Sequence, residues 1–292
     1  MPADPALAGI GDEAATALTA QIAAVERLGF SGIELRSVDG RPLGELDDAH
    51  FTAVRRAVRD AGLAVPCLAS RLGNWARPIT APLQEELREL DVLAERAHAL
   101  GARYLRIMSY PNDGLPEPEW RERVLNRIAR LAERAARHDV VLAHENCSGW
   151  AGADPERMLL LTEAAPGLRL LFDTGNGIAH GYESLDVLRA ILPHVDHVHV
   201  KDAVAGAAGT TYVAPGDGQA RVGECLRLLL EHGYGGTFSL EPHVAALPHE
   251  GVTAEETTSD GAAAEPFVRA GRRLQQLLRE LAPQSRDPLA YR

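Results

Sequence analysis

The stretch LRLLFDTGNGIAH, residues 168–180, runs apolar and then stops abruptly at Asp173. Thr174, Gly175, Asn176 and Gly177 follow, a turn-forming cluster. A short apolar run closed in this way reads as a buried strand with a carboxylate at its C-terminal end. Seven further runs share the pattern: ALAGIG, SGIELR, LAVPCLAS, RYLRIMS, VVLAHEN, VDHVHVKD and GTFSLEP. Longer amphipathic segments separate them, among them TALTAQIAAVERLG, DDAHFTAVRRAVRDAG and LQEELRELDVLAERAHALG. Several of these end in Gly, a common helix stop, and Pro155 after Asp154 is a helix start.

Strand-then-helix repeated eight times predicts parallel strands joined by right-handed crossovers. In a chain of 292 residues this points to an α/β fold, a single (β/α)8 barrel. An open doubly wound sheet is the alternative. No Gly-rich phosphate fingerprint follows the first run, so its dinucleotide-binding version lacks support. The expected organisation is one barrel domain over residues 1–283 and a surface tail over 284–292. The polar, acidic segment Ala245–Ala264 is expected to loop between the last strand and the final helix EPFVRAGRRLQQLLRELA.

Composition narrows the function classes. The formal net charge is −11 and the sequence pI is about 5.5, which disfavours binding to a phosphate backbone. Hydrophobic residues make up 46% of the chain, enough for a substantial core, yet no run approaches the ~20 apolar residues of a membrane span. The N-terminus MPADPALAGIGDEA lacks the basic and apolar regions of a signal peptide. The expectation is a cytoplasmic protein acting on a small molecule, with neither nucleic acid nor membrane as partner. Cys67, Cys147 and Cys225 are scattered and odd in number, and read as reduced, buried thiols.

In a barrel the chemistry sits at the C-terminal ends of the strands. Successive strand side chains alternate between the barrel interior and the helix layer. By that parity Glu145, Asp173, His199 and Glu241, from four consecutive strands, all point into one mouth. His197 shares the face of His199 one layer deeper, as a core or supporting residue. Three carboxylates converging in a low-dielectric pocket need protons, hydrogen bonds or a cation. Three oxygens and one imidazole suit one divalent ion, and the set does not choose among Mn, Mg, Co and Zn.

Parity also directs Glu34, Arg36 and Arg106 inward, and Arg71 follows the third strand. A guanidinium at the mouth binds phosphate or carboxylate in two-pronged fashion. The alternative is an internal Glu34–Arg36–Arg106 ion network. Lys201 shares the face of His199 and is a substrate-contact candidate, with a salt bridge to Asp202 or a loop carboxylate as the alternative. Trp75 and Tyr110, just beyond strands three and four, are candidate pocket walls. The Gly-rich stretch APGDGQARVG, residues 214–223, either offers backbone amides to an anion or simply starts the next helix.

The motifs HEN, DTGN, HVHVKDA and LEPH, with GFSGIEL near the start and GYGG before the last strand, resemble the sugar isomerase/epimerase group of xylose isomerase-like barrels. The resemblance implies that Glu145, Asp173, His199 and Glu241 hold the metal. It also implies that Glu145 and Glu241 are the acid and base, moving a proton through an enediolate of a sugar, sugar phosphate or related hydroxy-ketone. Many relatives carry His where this chain has Asn176; a DxGN pattern resembles pentulose-phosphate 3-epimerases, with Asn176 as a substrate ligand. The second activity in view is dehydration of a keto-polyol such as an inosose. A non-catalytic sugar-binding barrel and an abasic-site endonuclease are more distant alternatives. Barrels of this kind often pair, so a homodimer is also an expectation.

Overall fold

The computed structural model describes residues 5–207, 209–244 and 264–281. The proposed tail 284–292 and all but the last residue of the 245–264 segment lie outside the described residues. Eight strands form one parallel sheet: β1 (Ala6–Ile10), β2 (Gly32–Glu34), β3 (Cys67–Ala69), β4 (Tyr104–Ser109), β5 (Val141–Gly149), β6 (Arg169–Asp173), β7 (Val195–Val200) and β8 (Thr237–Leu240). Spatial order follows chain order, with β8 paired to β1. Isolated bridges Gly32–Ala64 and Leu35–Leu68 join β2 to β3 and bring the sheet around into a nearly closed barrel.

Around it lie α1 (Leu18–Arg27), α2 (Asp48–Asp60), α3 (Leu83–Leu100), α4 (Glu117–Ala136), α5 (Pro155–Ala164), the short α6 (Asn176–His180), α7 (Ser184–Ile191), α8 (Val222–Glu231) and α9 (Glu265–Leu281). Local chemistry sets several ends. The Asp47 carboxylate accepts the His50 N–H at 2.8 Å, and the Asp154 carboxylate, just ahead of Pro155, accepts the amides of Glu156 and Arg157. Gly101 closes α3 in the left-handed region at φ 70°. No helix among the described residues is long and apolar enough to cross a membrane.

Strand parity divides the core in two. Cys67, Ala143 and Leu171 meet inside the barrel with Tyr104 beside them. Leu105, Ile107, Phe172, Val198, Val200, Phe238 and Leu240 join the larger core between the barrel and its helices. The inner plug is small, and the polar side chains stacked above it at the C-terminal end carry the site. All three cysteines are buried and free.

Two hairpins extend the barrel end. Ser37–Val38 pairs with Arg41–Pro42, and Asp202–Gly206 pairs with Gly209–Val213. Neither was expected from the sequence. The second grows out of the end of β7 and carries Thr210 and Tyr212 to the rim of the mouth.

Candidate active site

Glu145, Asp173, His199 and Glu241 meet as the parity argument requires. One ligand atom from each lies within 4.8 Å of the others, and all four residues are buried. Register explains the convergence. Asp173 on β6 is level with His199 on β7, which is level with Ser239 on β8. Glu241 stands two residues beyond Ser239, on the same face, and its amide continues the ladder to the Val200 carbonyl at 3.0 Å.

His199 is aimed from below. Its Nε2 lies 2.8 Å from Glu34 Oε2, and His197 Nε2 lies 2.5 Å from Glu34 Oε1. Ser239 Oγ donates to the same carboxylate at 3.1 Å. Glu34 therefore fixes the ring and turns Nδ1 towards the mouth, 3.4 Å from Glu145 Oε1 and 3.2 Å from Glu241 Oε2. His197 is buried beneath, in the supporting position expected for it. Burial pushes the Glu34 carboxyl up, but the His199 and His197 rings outweigh it and hold it well below the usual carboxylate range. Burial opposes charge on His199, yet Glu34 and then the two mouth glutamates raise its pKa well above normal.

Each residue of the DTGN stretch has a task. Asp173 Oδ1 accepts the amides of Gly175 at 2.8 Å and Asn176 at 2.7 Å, capping the turn into α6. Its other oxygen, Oδ2, is buried with no hydrogen-bond donor, although Lys201 Nζ stands 3.1 Å away. Thr174 Oγ1 donates to the Lys201 carbonyl at 2.6 Å and clips β6 to β7. At Gly175 a Cβ would lie 2.7 Å from Lys201 Cγ and 2.8 Å from its carbonyl oxygen, so only glycine fits the approach. Asn176 donates to Glu145 Oε1 at 3.2 Å and to the Asn146 carbonyl at 2.9 Å. Burial lifts the Asp173 carboxyl to about 6; Lys201 pulls it down, while Glu145 and Glu241 push it further up.

The arginines and Lys201 divide their roles. Arg36 contacts Asp12, Glu13 and Glu241 at 2.9, 2.8 and 2.9 Å. Arg106 Nη1 stands 3.4 Å from Glu145 Oε2. The Glu34–Arg36–Arg106 network does not form, because Glu34 is engaged by the two histidines. Burial pushes Glu145 up, but Arg106 and His199 bring it down to about 2. Lys201 Nζ reaches Glu241 Oε2 at 3.0 Å and His243 Nε2 at 3.3 Å. Asp202 is not its partner. The Asp202 carboxylate accepts the amides of Gly216, Gly218 and Ala220, so the anion gathered by the 214–223 stretch belongs to the chain itself.

Two further expectations shift. Arg71 is exposed, pairs with Glu45, and lines a side cavity rather than the mouth. Tyr110 is fully buried, donates to Glu86 Oε2 at 2.9 Å and lies under the Arg127 guanidinium, so it walls no pocket. Trp75 does reach the cavity, which measures about 490 Å³ and is also lined by Cys147, His180, Tyr212 and His243. Glu13 and His243 were not assigned from sequence. Glu13 binds the His243 amide at 2.7 Å and its Nδ1 at 2.6 Å, tying the end of β1 to that of β8. The strand-end criterion that found the quartet flags the Asp12–Glu13 pair after β1 as well.

The donor set fits a divalent cation. Among the described residues it offers three buried carboxylates and one imidazole nitrogen, with Asp173 Oδ2 and His199 Nδ1 both lacking hydrogen bonds. A cation held there would need His199 Nδ1 free of a proton.

The chain is similar to known proteins along most of its length. It is 26% identical over 193 residues to an inosose dehydratase from Bacillus thuringiensis, across 56% of this chain and 64% of the relative. It thus spans a little under two thirds of the length of the curated relatives it matches. The fold is similar to that of a xylose isomerase-like TIM barrel protein from Mycobacterium smegmatis in complex with magnesium (TM-score 0.64, 19% identity, 94% of this chain and 97% of that one). It is also similar to that of the 3-keto-D-glucoside 4-epimerase from E. coli (TM-score 0.65, 16% identity, 94% and 98%). Residues 22–264 match the model of the xylose isomerase-like TIM barrel family, and the chain belongs to that family.

Proposed function

We propose that this chain is a metal-dependent isomerase or epimerase that moves a proton next to the carbonyl of a sugar or related hydroxy-ketone. The observation that carries the reading is the meeting of Glu145, Asp173, His199 and Glu241 at the mouth, with two oriented ligand atoms left without hydrogen bonds. A divalent ion such as Mn, Mg, Co or Zn held there supplies polarisation of the carbonyl and stabilisation of the enediolate charge. The magnesium in the mycobacterial neighbour agrees with that class of ion.

The chain supplies the proton transfers. Glu145 and Glu241 arrive from the ends of β5 and β8, and each brings a carboxylate oxygen near His199 Nδ1, at 3.4 and 3.2 Å. One carboxylate removes the proton α to the carbonyl, and the other returns a proton to the opposite face or to the neighbouring carbon. Asn176 and Arg106 orient Glu145; Arg36 and Lys201 orient Glu241. Arg36 is already engaged by three carboxylates of its own chain, which favours an unphosphorylated sugar over a sugar phosphate.

Dehydration of a keto-polyol is the second reading, supported by the inosose dehydratase relatives and by Lys201 and His243 beside Glu241. In that reaction the same proton is removed and a β-hydroxyl leaves, with a proton delivered from the Lys201–His243 side. The test is metal analysis of the purified protein, then incubation in D2O with ketoses and inososes. Deuterium gain in a product of unchanged composition supports epimerisation; loss of water selects dehydration. A metal-loaded protein that does neither overturns both readings.

A further inference from the structure

Among the described residues a second group of ligand atoms lies beneath the mouth. Glu34, Cys67 and His197 bring a carboxylate oxygen, a thiol sulfur and a ring nitrogen within 4.8 Å of one another, and all three side chains are fully buried. They come from β2, β3 and β7, so His197 reaches in from the wall opposite Cys67. Glu34 also differs from the other carboxylates of the barrel end. Asp12, Glu13, Glu145, Asp173 and Glu241 each have a lysine or arginine nitrogen within 3.4 Å. Glu34 has neither among the described residues; it meets the His197 and His199 rings and the Ser239 hydroxyl. A third group, Glu13, Glu241 and His243, is already crossed by Arg36 and Lys201, so its charge is met by the chain itself.

We infer that Glu34, Cys67 and His197 form a second cation site, one layer below the first, that takes zinc or another thiophilic divalent ion. Zinc accepts sulfur, nitrogen and oxygen ligands together, whereas magnesium and manganese favour oxygen. One thiolate and one carboxylate cancel the charge of a divalent ion, so the loaded site is neutral in the low-dielectric interior. Bound at ~2.0–2.3 Å, a tetrahedral ion spaces its ligands roughly 3.3–3.8 Å apart, which side-chain rotation reaches from the observed spread. Three protein groups leave its fourth position to a water. The Cys67 thiol gives up its proton to solvent as the ion enters, and no electron is transferred. Glu34 serves both layers: Oε1, which faces His197, takes the ion, and Oε2 stays with His199.

The test is titration of the full chain with cadmium, a thiophilic probe for zinc, read by the sulfur-to-cadmium charge-transfer absorption in the ultraviolet. Only a thiolate ligand gives this absorption, so cadmium at the upper quartet is silent. The parent protein is expected to gain the absorption and to saturate at a single thiolate-bound ion per chain. Cys67→Ser, which is close to isosteric, is expected to abolish it with circular dichroism unchanged. Cys147→Ser removes the competing thiol, whose sulfur lies 3.4 Å from His180 Nε2 at the mouth, and is expected to keep it. His197→Gln is expected to weaken cadmium binding by at least ~10-fold. No absorption in the parent, absorption that survives Cys67→Ser, or undiminished affinity in His197→Gln overturns the proposal. Each of those results leaves the proton-transfer reading standing, because the upper quartet contains no cysteine.

Discussion

Both ends of this barrel hold a cavity of nearly the same size. The C-terminal mouth measures about 490 Å³, and a cavity at the N-terminal end about 480 Å³. Their polar groups behave in opposite ways. At the N-terminal end Tyr104 donates to Asp196 at 3.2 Å, Arg169 pairs with the same carboxylate at 3.4 Å, and Tyr234 donates to the Thr237 carbonyl at 2.8 Å. Those are partly exposed pairs that satisfy one another. At the mouth three carboxylates are buried together, Asp173 is lifted to about 6, and two ligand atoms lack hydrogen bonds. Volume therefore does not mark the site. The crowding of buried carboxylates does, with Asp173 raised and two ligand atoms left without hydrogen bonds, because burial of that kind persists only where something else offsets it.

The comparison breaks most sharply at Glu145. Glu145→Gln keeps the shape and removes one of the two proposed acid–base carboxylates, so deuterium exchange is expected to fall by about 10²–10⁴-fold while circular dichroism is unchanged. Exchange at the parent rate would sink the acid–base assignment. Glu34→Gln tests the support beneath the mouth. With its grip on His199 Nε2 weakened, metal affinity read by titration is expected to drop ~10–100-fold. Unchanged affinity would show that His199 is positioned without it. Gly175→Ala drives a methyl group into Lys201 and is expected to cost about 1–3 kcal/mol in denaturant unfolding. At the opposite end Tyr104→Phe removes one partly exposed hydrogen bond. It should cost about 0.5–1.5 kcal/mol and leave exchange unchanged; a large activity loss there would erase the contrast between the two ends.

Much of this was legible beforehand, and the reason differs by feature. The eight strands follow from apolar runs set between amphipathic segments, and the inward pointing of Glu145, Asp173, His199 and Glu241 follows from a period of two. Asp173 and Asn176, the two residues that made the 168–180 stretch conspicuous, stand together at the mouth, Asp173 accepting the Asn176 amide and Asn176 donating to Glu145. Partners were harder to foresee. Arg36 faces inward as parity requires, yet it pairs with Asp12 and Glu13 on β1's trailing turn instead of with Glu34. Tyr110, at φ 60°, turns back into the core beside Glu86 and away from the cavity.

The sequence by itself determined the barrel, the order of its strands and the facing of each strand-end side chain, because hydrophobic periodicity and backbone alternation act within a few residues. The tertiary structure alone decided which charges neutralise which. Ion pairs such as Arg36–Glu241 and His243–Glu13 join residues more than 200 positions apart, so their existence depends on how the first and last strands close the sheet. It also decided that Gly175 must be glycine: it reads like any turn residue until the Lys201 backbone is placed against it.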